Sequence, residues 1–158
     1  MYLNFYFKSK ISYLFMWSGF FFFGVGLCYG KHPENLRLIN NLLRVCPESP
    51  NCVLSLSTDP KHKIEPFRFK GTLEVAKNRL SHVIILMGNS KFVTLNKLYW
   101  HVEFTSRWLG FVDDVEFYFF EPESLIHVRS ASRTGYWDFG VNRRRVEEIR
   151  SYFEEKTN

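Results

Sequence analysis

The chain has 158 residues, a formal net charge of +5, an apolar share of 46% and an aromatic share of 18%. That length suits one domain with enough chain to bury a core. The charge is mild, since residues 1–27 hold Lys8 and Lys10 and no acid, leaving +5 − 2 = +3 for the remainder, too little to suggest a nucleic-acid partner.

The aromatic residues are unevenly placed, with 12 of the 29 Phe, Trp and Tyr residues in the first 30 positions. Lys8 and Lys10 precede an uncharged run from Ile11 to Tyr29 that contains Phe20, Phe21, Phe22 and Phe23. As a helix this run would span about 28 Å, near the hydrocarbon thickness of a bilayer. Residues 1–30 therefore read as a signal or anchor segment, transmembrane or of lipoprotein type; length alone does not separate a retained anchor from a cleaved leader. A buried core helix is the bland alternative, and the lack of a polar face argues against it. The positive flank sets the N-terminus in the cytoplasm and residues 31–158 on the extracytoplasmic side. Residues 11–29 are thus the expected membrane contact. The mild positive charge of the remainder suits anionic lipid headgroups or an envelope polymer.

Residues 31–63 read as an irregular arm, broken by Pro33, Pro47, Pro50 and Pro60. The arm carries Cys46 and Cys52. Three readings stand side by side: a short disulfide loop, two free thiols, or half of a metal site completed by His32 and His62. An extracytoplasmic setting favours the disulfide, and neither a metal nor a cofactor is expected. Cys28, the odd cysteine, is a lipidation candidate at the membrane end of the apolar run. Leu27 stands where a lipoprotein signal calls for a small residue.

From residue 64 to 158 the pattern becomes regular. Ile64 to Phe69 alternates as a strand. Thr72 is a helix N-cap, and Leu73, Ala76, Leu80, Val83, Ile84 and Met87 recur at helical spacing until Gly88-Asn89 ends the run. Strands follow at Lys91–Asn96, Tyr99–Ser106, Asp114–Phe120 and Ser124–Ala131, separated by Leu109-Gly110 and Glu121-Pro122. A last helix runs from about Asn142 to Glu155, with Val146, Ile149 and Phe153 on its apolar stripe. The order strand, helix, four strands, helix predicts an α+β fold: an antiparallel sheet with both helices packed on one face.

Three segments are distinctive. They are Cys46-Pro47-x-Ser49-Pro50-Asn51-Cys52-Val53; Ser106-x-x-x-Gly110-Phe111-Val112-Asp113-Asp114-Val115-Glu116-Phe117; and the run from Val128 through Arg129-Ser130-Ala131-Ser132-Arg133-x-Gly135-Tyr136-x-Asp138-Phe139-Gly140 to Glu147. Together they resemble the family called domain of unknown function 1499, over roughly residues 28 to 153. The resemblance implies an uncharacterised envelope protein, often lipoprotein-like, with a cysteine at the place of Cys28. It implies no activity.

The chemistry in these segments can be read in two ways. Asp113, Asp114 and Glu116 are candidate acid/base groups, and with Arg129 and Arg133 they could serve an envelope enzyme acting on an anionic substrate. Alternatively Arg129, Ser130, Ser132, Arg133, Asp138, Asn142, Arg143, Arg145 and Glu147 form a binding or structural network that fastens the strands to the last helix. The second reading is preferred, and with it a non-catalytic envelope binding or structural module. Ser106, Ser130 and Ser132 lack an evident base, His101 appears on a solvent-facing side of its strand with Glu103, and no nucleophile-elbow motif is present. His82 reads as a surface residue, and Gly135 and Gly140 as turns. Arg143, Arg144 and Arg145 fall in the first turn of the last helix, where the dipole disfavours cations. Arg143 and Arg145 are expected to reach acids, and Arg144 to face water.

Overall fold

The computed structural model describes residue 36, residues 38–40 and residues 42–155. The apolar run 11–29 and Cys28 lie outside the described residues. Among the described residues, no helix is long and apolar enough to cross a membrane.

The fold is α+β, with a six-stranded antiparallel sheet and two helices. In chain order come β1 (Cys52–Leu54), β2 (Phe67–Arg68), α1 (Leu73–Met87), β3 (Ser90–Leu95), β4 (Tyr99–Thr105), β5 (Val112–Phe120), a 3-10 turn (Glu121–Glu123), β6 (Leu125–Ser132) and α2 (Val141–Glu155). The strands lie in the order β1, β6, β5, β4, β3, and β2 also pairs with β6. β1 meets β6 at Arg129 to Ala131 and β2 meets it at Leu125 and Ile126, so the two short strands follow one another along one edge.

Local chemistry explains most boundaries. The Thr72 side chain accepts from Val75 N–H and starts α1, which satisfies one orphan donor of the first turn. Gly88 adopts φ +68°, a conformation that penalises any side chain, and α1 stops there. The apolar stripes of α1 and α2 pack with Val102, Val115, Phe117, Phe119, Ile126 and Val128 of one sheet face into a single core. Burial of each large apolar side chain in such a core contributes about 1.5–3 kcal/mol. Both helices therefore cover the same face, as their stripes require.

The opposite face is covered by the arm. Leu43, Leu54 and Tyr99 form a second buried cluster, against which Leu38, Cys46, Leu56 and Tyr118 pack. Cys46 and Cys52 are disulfide-bonded, with Cα atoms 5.7 Å apart. The arm is thus part of the fold rather than a leader to it. Its residues Cys52–Leu54, read from sequence as loop, add a strand to the sheet. Among the prolines that suggested loop, none falls between Pro50 and Pro60, and the N–H groups of Cys52–Leu54 are free to pair.

Candidate functional site

Side chains alternate along a strand, so the adjacent carboxylates of β5 diverge. Asp113 shares the helix-covered face with Val115 and Phe117, whereas Asp114 and Glu116 share the face under the arm. Two polar networks result, one on each face.

On the helix face, Asp113 accepts from Arg145 Nη2 at 2.6 Å. Arg145 also donates to Asn142 Oδ1 at 3.0 Å and lies over the Phe104 ring. Ser130 donates to the same Asn142 oxygen at 2.5 Å. The Asn142 amide donates to Ser132 Oγ, Asp138 Oδ2 and the Asn51 carbonyl, and Asn51 donates to the Gly135 carbonyl at 2.6 Å. Asp138 accepts from the backbone N–H groups of Gly140 and Asn142, capping the start of α2. Burial works against the charged form of Asp138, but these donors outweigh it and hold its pKa below the ordinary carboxylate value.

On the arm face the groups are more deeply buried and more densely charged. Glu116 has no exposed surface and accepts from Tyr99 Oη at 2.7 Å and Arg129 Nη1 at 3.0 Å. Arg133 forks onto Asp114 through Nε at 2.8 Å and Nη2 at 2.7 Å, and also bonds Glu103. His101 Nε2 lies 2.7 Å from Asp114 Oδ1; an ionised carboxylate only accepts, so this nitrogen carries the proton. Desolvation opposes ionisation of Asp114, yet the bonds from His101 and Arg133 hold its pKa below the usual carboxylate range. The same contact with Asp114 raises the pKa of Arg133 above its ordinary value. Burial, then Glu116, raises that of the Tyr99 phenol. Arg129 Nε is the one buried side-chain donor or acceptor without a partner among the described residues.

The structure departs from three sequence expectations, those for His101, Arg143 and Glu147. His101 does not face solvent, since it is 2% exposed beneath the arm, which covers this side of β4. Arg143 does not reach an acid; it donates to the backbone carbonyls of Lys61 and Lys63. Arg145 does find its carboxylate, and Arg144 is exposed, donating to the Phe139 carbonyl. Glu147 lies outside both networks and pairs with Arg150 on the surface of α2. Ser130 and Ser132 sit in the amide network, and Ser106 accepts from Phe111 N–H. The serine–histidine contact among the described residues is elsewhere, Ser55 Oγ to His127 Nδ1 at 3.2 Å. Desolvation lowers the His127 pKa. Among the described residues, no group of three or more His, Cys, Asp or Glu side chains is placed to hold a metal ion.

The sequence reading missed what the helix-face network supports. The β4–β5 and β6–α2 loops stand side by side and enclose a cleft of about 340 Å³. Trp108, Leu109, Phe111, Trp137, Phe139 and Val141 wall it, and Asp113, Ser132 and Asp138 line its polar part. The first loop is closed by the Ser106 N–H donating to the Phe111 carbonyl while the Phe111 N–H donates to Ser106 Oγ, which throws Arg107, Trp108 and Leu109 to its tip. The second is pinned by Asn51, Asp138 and Asn142. Phe139 adopts φ +52°, which is uncommon for so bulky a residue. The available signal was the density of aromatics in segments otherwise punctuated as turns by Gly110, Gly135 and Gly140.

The three distinctive segments thus converge on one polar network and one cleft. A family model described as a protein of unknown function, DUF1499, matches residues 42–153. The chain belongs to that family. No curated protein and no solved structure matches it. In this DUF1499 domain the matched residues include both networks, the disulfide and the whole of the cleft.

Proposed function

We propose that this DUF1499 protein is a non-catalytic binding module of the cell envelope, tethered to a membrane by residues 11–29 with its domain on the extracytoplasmic side. Its contact surface is the aromatic cleft. One observation carries the non-catalytic reading: every candidate carboxylate already holds an arginine. Asp113 holds Arg145, Asp114 holds Arg133, and Glu116 holds Arg129. A general base or nucleophile needs a carboxylate that can reach substrate and change its protonation in the working range. The pairing of these groups is better suited to fixing strands and loops than to proton transfer. The apolar cleft walls, by contrast, have no such internal task.

The tether rests on the charge and length of the N-terminal run, and the placement agrees with the Cys46–Cys52 bond, which an oxidising compartment permits. A C-terminal alkaline phosphatase fusion to the full chain tests it. The fusion is expected to be active, and a cytoplasmic reporter at the same position inactive. The reverse pattern overturns the placement.

A further inference from the structure

We infer that the paired β4–β5 and β6–α2 loops are a docking face for the interfacial layer of a bilayer carrying anionic headgroups. The inference rests on the tethered reading above and names what the cleft meets. Trp108 is 92% exposed, Phe139 86% and Trp137 66%, on two loops that share one cleft. Scattered apolar residues are ordinary on a surface, but a contiguous aromatic patch marks an interaction site. Tryptophan combines a large apolar ring with a polar N–H, the pairing that concentrates it at membrane–water boundaries.

Charge and rigidity point the same way. Arg107 adjoins Trp108, and Arg144 is held against the Phe139 carbonyl, so an exposed guanidinium flanks the aromatic tip of each loop. The acid within these loops, Asp138, is turned inward onto Gly140, Asn142 and the start of α2. The outward surface is therefore aromatic and cationic, complementary to anionic lipid. Because Ser106, Asn51 and Asn142 already fix the loops, little ordering remains to be lost on docking.

The position of the chain selects the occupant. Leu36 lines a cavity together with Ala131, Ser132 and Arg133, the residues that lead directly into the second aromatic loop. Between Tyr29 and Leu36 lie few residues, and a fully extended chain covers at most about 3.6 Å per residue, or about 25 Å. A bilayer holding residues 11–29 would thus lie close to the end of the sheet that displays the aromatic loops.

Tryptophan quenching in the full chain tests this. Trp17→Phe removes the reporter inside the apolar run, and Trp100 stays buried at 7% exposure as an internal standard. The protein is reconstituted into phosphatidylcholine–phosphatidylglycerol vesicles brominated near the headgroup. The expected result is quenching of Trp108 and Trp137 by the brominated lipid and their shielding from aqueous acrylamide. A Trp108→Ser/Trp137→Ser variant with an unchanged melting curve should lose the lipid-quenched fraction. If acrylamide quenches both while the protein still sediments with vesicles, docking is refuted and the tether survives. Failure to sediment at all refutes tether and docking together. Shielding from both quenchers would mean that a second copy covers the face, and would equally overturn the inference.

Discussion

The two faces of the sheet hold the same kinds of residue and use them differently. Asp113 and Asp114 are neighbours in sequence, yet Asp113 joins a network made mostly of hydroxyls and amides, and Asp114 joins one made of charges. The helix-face network reaches outward and fixes the loops that carry the aromatic cleft. The arm-face network lies beneath the arm, where Asp114, Arg129 and Arg133 line a separate cavity with Cys46 and Pro47, and none of its side chains lines the aromatic cleft. Position on the pleat, rather than residue type, decides whether a carboxylate supports the surface or the interior. A buried ion pair adds little net stability, but removal of one partner strands the other charge and is severe. The arm face should therefore tolerate single substitutions worse than the helix face.

That contrast is sharpest at the two arginines. Arg133→Ala leaves Asp114 and Glu103 without their shared guanidinium and should cost about 3–5 kcal/mol in a urea melt. Arg145→Ala leaves Asp113 at the margin of the cleft, where water can enter, and should cost about 2 kcal/mol. Equal losses would remove the distinction between the faces.

Acid probes the same comparison more gently. The pKa values of Asp114 and Asp138 are both lowered by the fold from 3.8, so each contributes stability that is complete above the unfolded value and is lost as pH falls through the lower folded value. Thermal melts from pH 6 downward are expected to hold steady to about pH 4 and then decline. Asp138→Asn should flatten part of that decline, because the cap no longer titrates. A midpoint that falls between pH 6 and 5 would point to groups other than these two.

The smallest effect is expected at Arg144. It is exposed and its side chain bonds the Phe139 carbonyl, so Arg144→Ala should shift stability by no more than about 0.5 kcal/mol. A large loss would show that the Phe139 turn needs this bond to hold its left-handed backbone.

The legible parts of the fold were those set by local periodicity and capping. Thr72, the stripe from Leu73 to Ile84, and the stripe Val146, Ile149 and Phe153 specify both helices within a residue or two. The inward turn of Arg145 followed from the misfit of cations at a helix start. What was illegible depends on partners distant in sequence. Cys52–Leu54 is a three-residue strand that pairs with the edge of β6 at Arg129 to Ala131, far along the chain. The burial of His101 depends on where the arm lies, which no pattern in β4 records. The cleft was missed because Trp108 and Trp137 lie in different loops, and neither alone is unusual.

The pairing of β1 with β6 also sets an order of assembly. A chain made from its N-terminus presents Cys52–Leu54 long before Arg129–Ala131 exists to receive it. Such distant pairings close late and leave apolar surface uncovered in the meantime. Until then Cys52–Leu54 has no β6 edge to pair with, and nothing on β6 holds Leu54 beside Leu43 and Tyr99. The disulfide loop spans only residues 46–52 and needs no partner strand. It can therefore form first and present β1 as a preshaped edge for the last strand to complete.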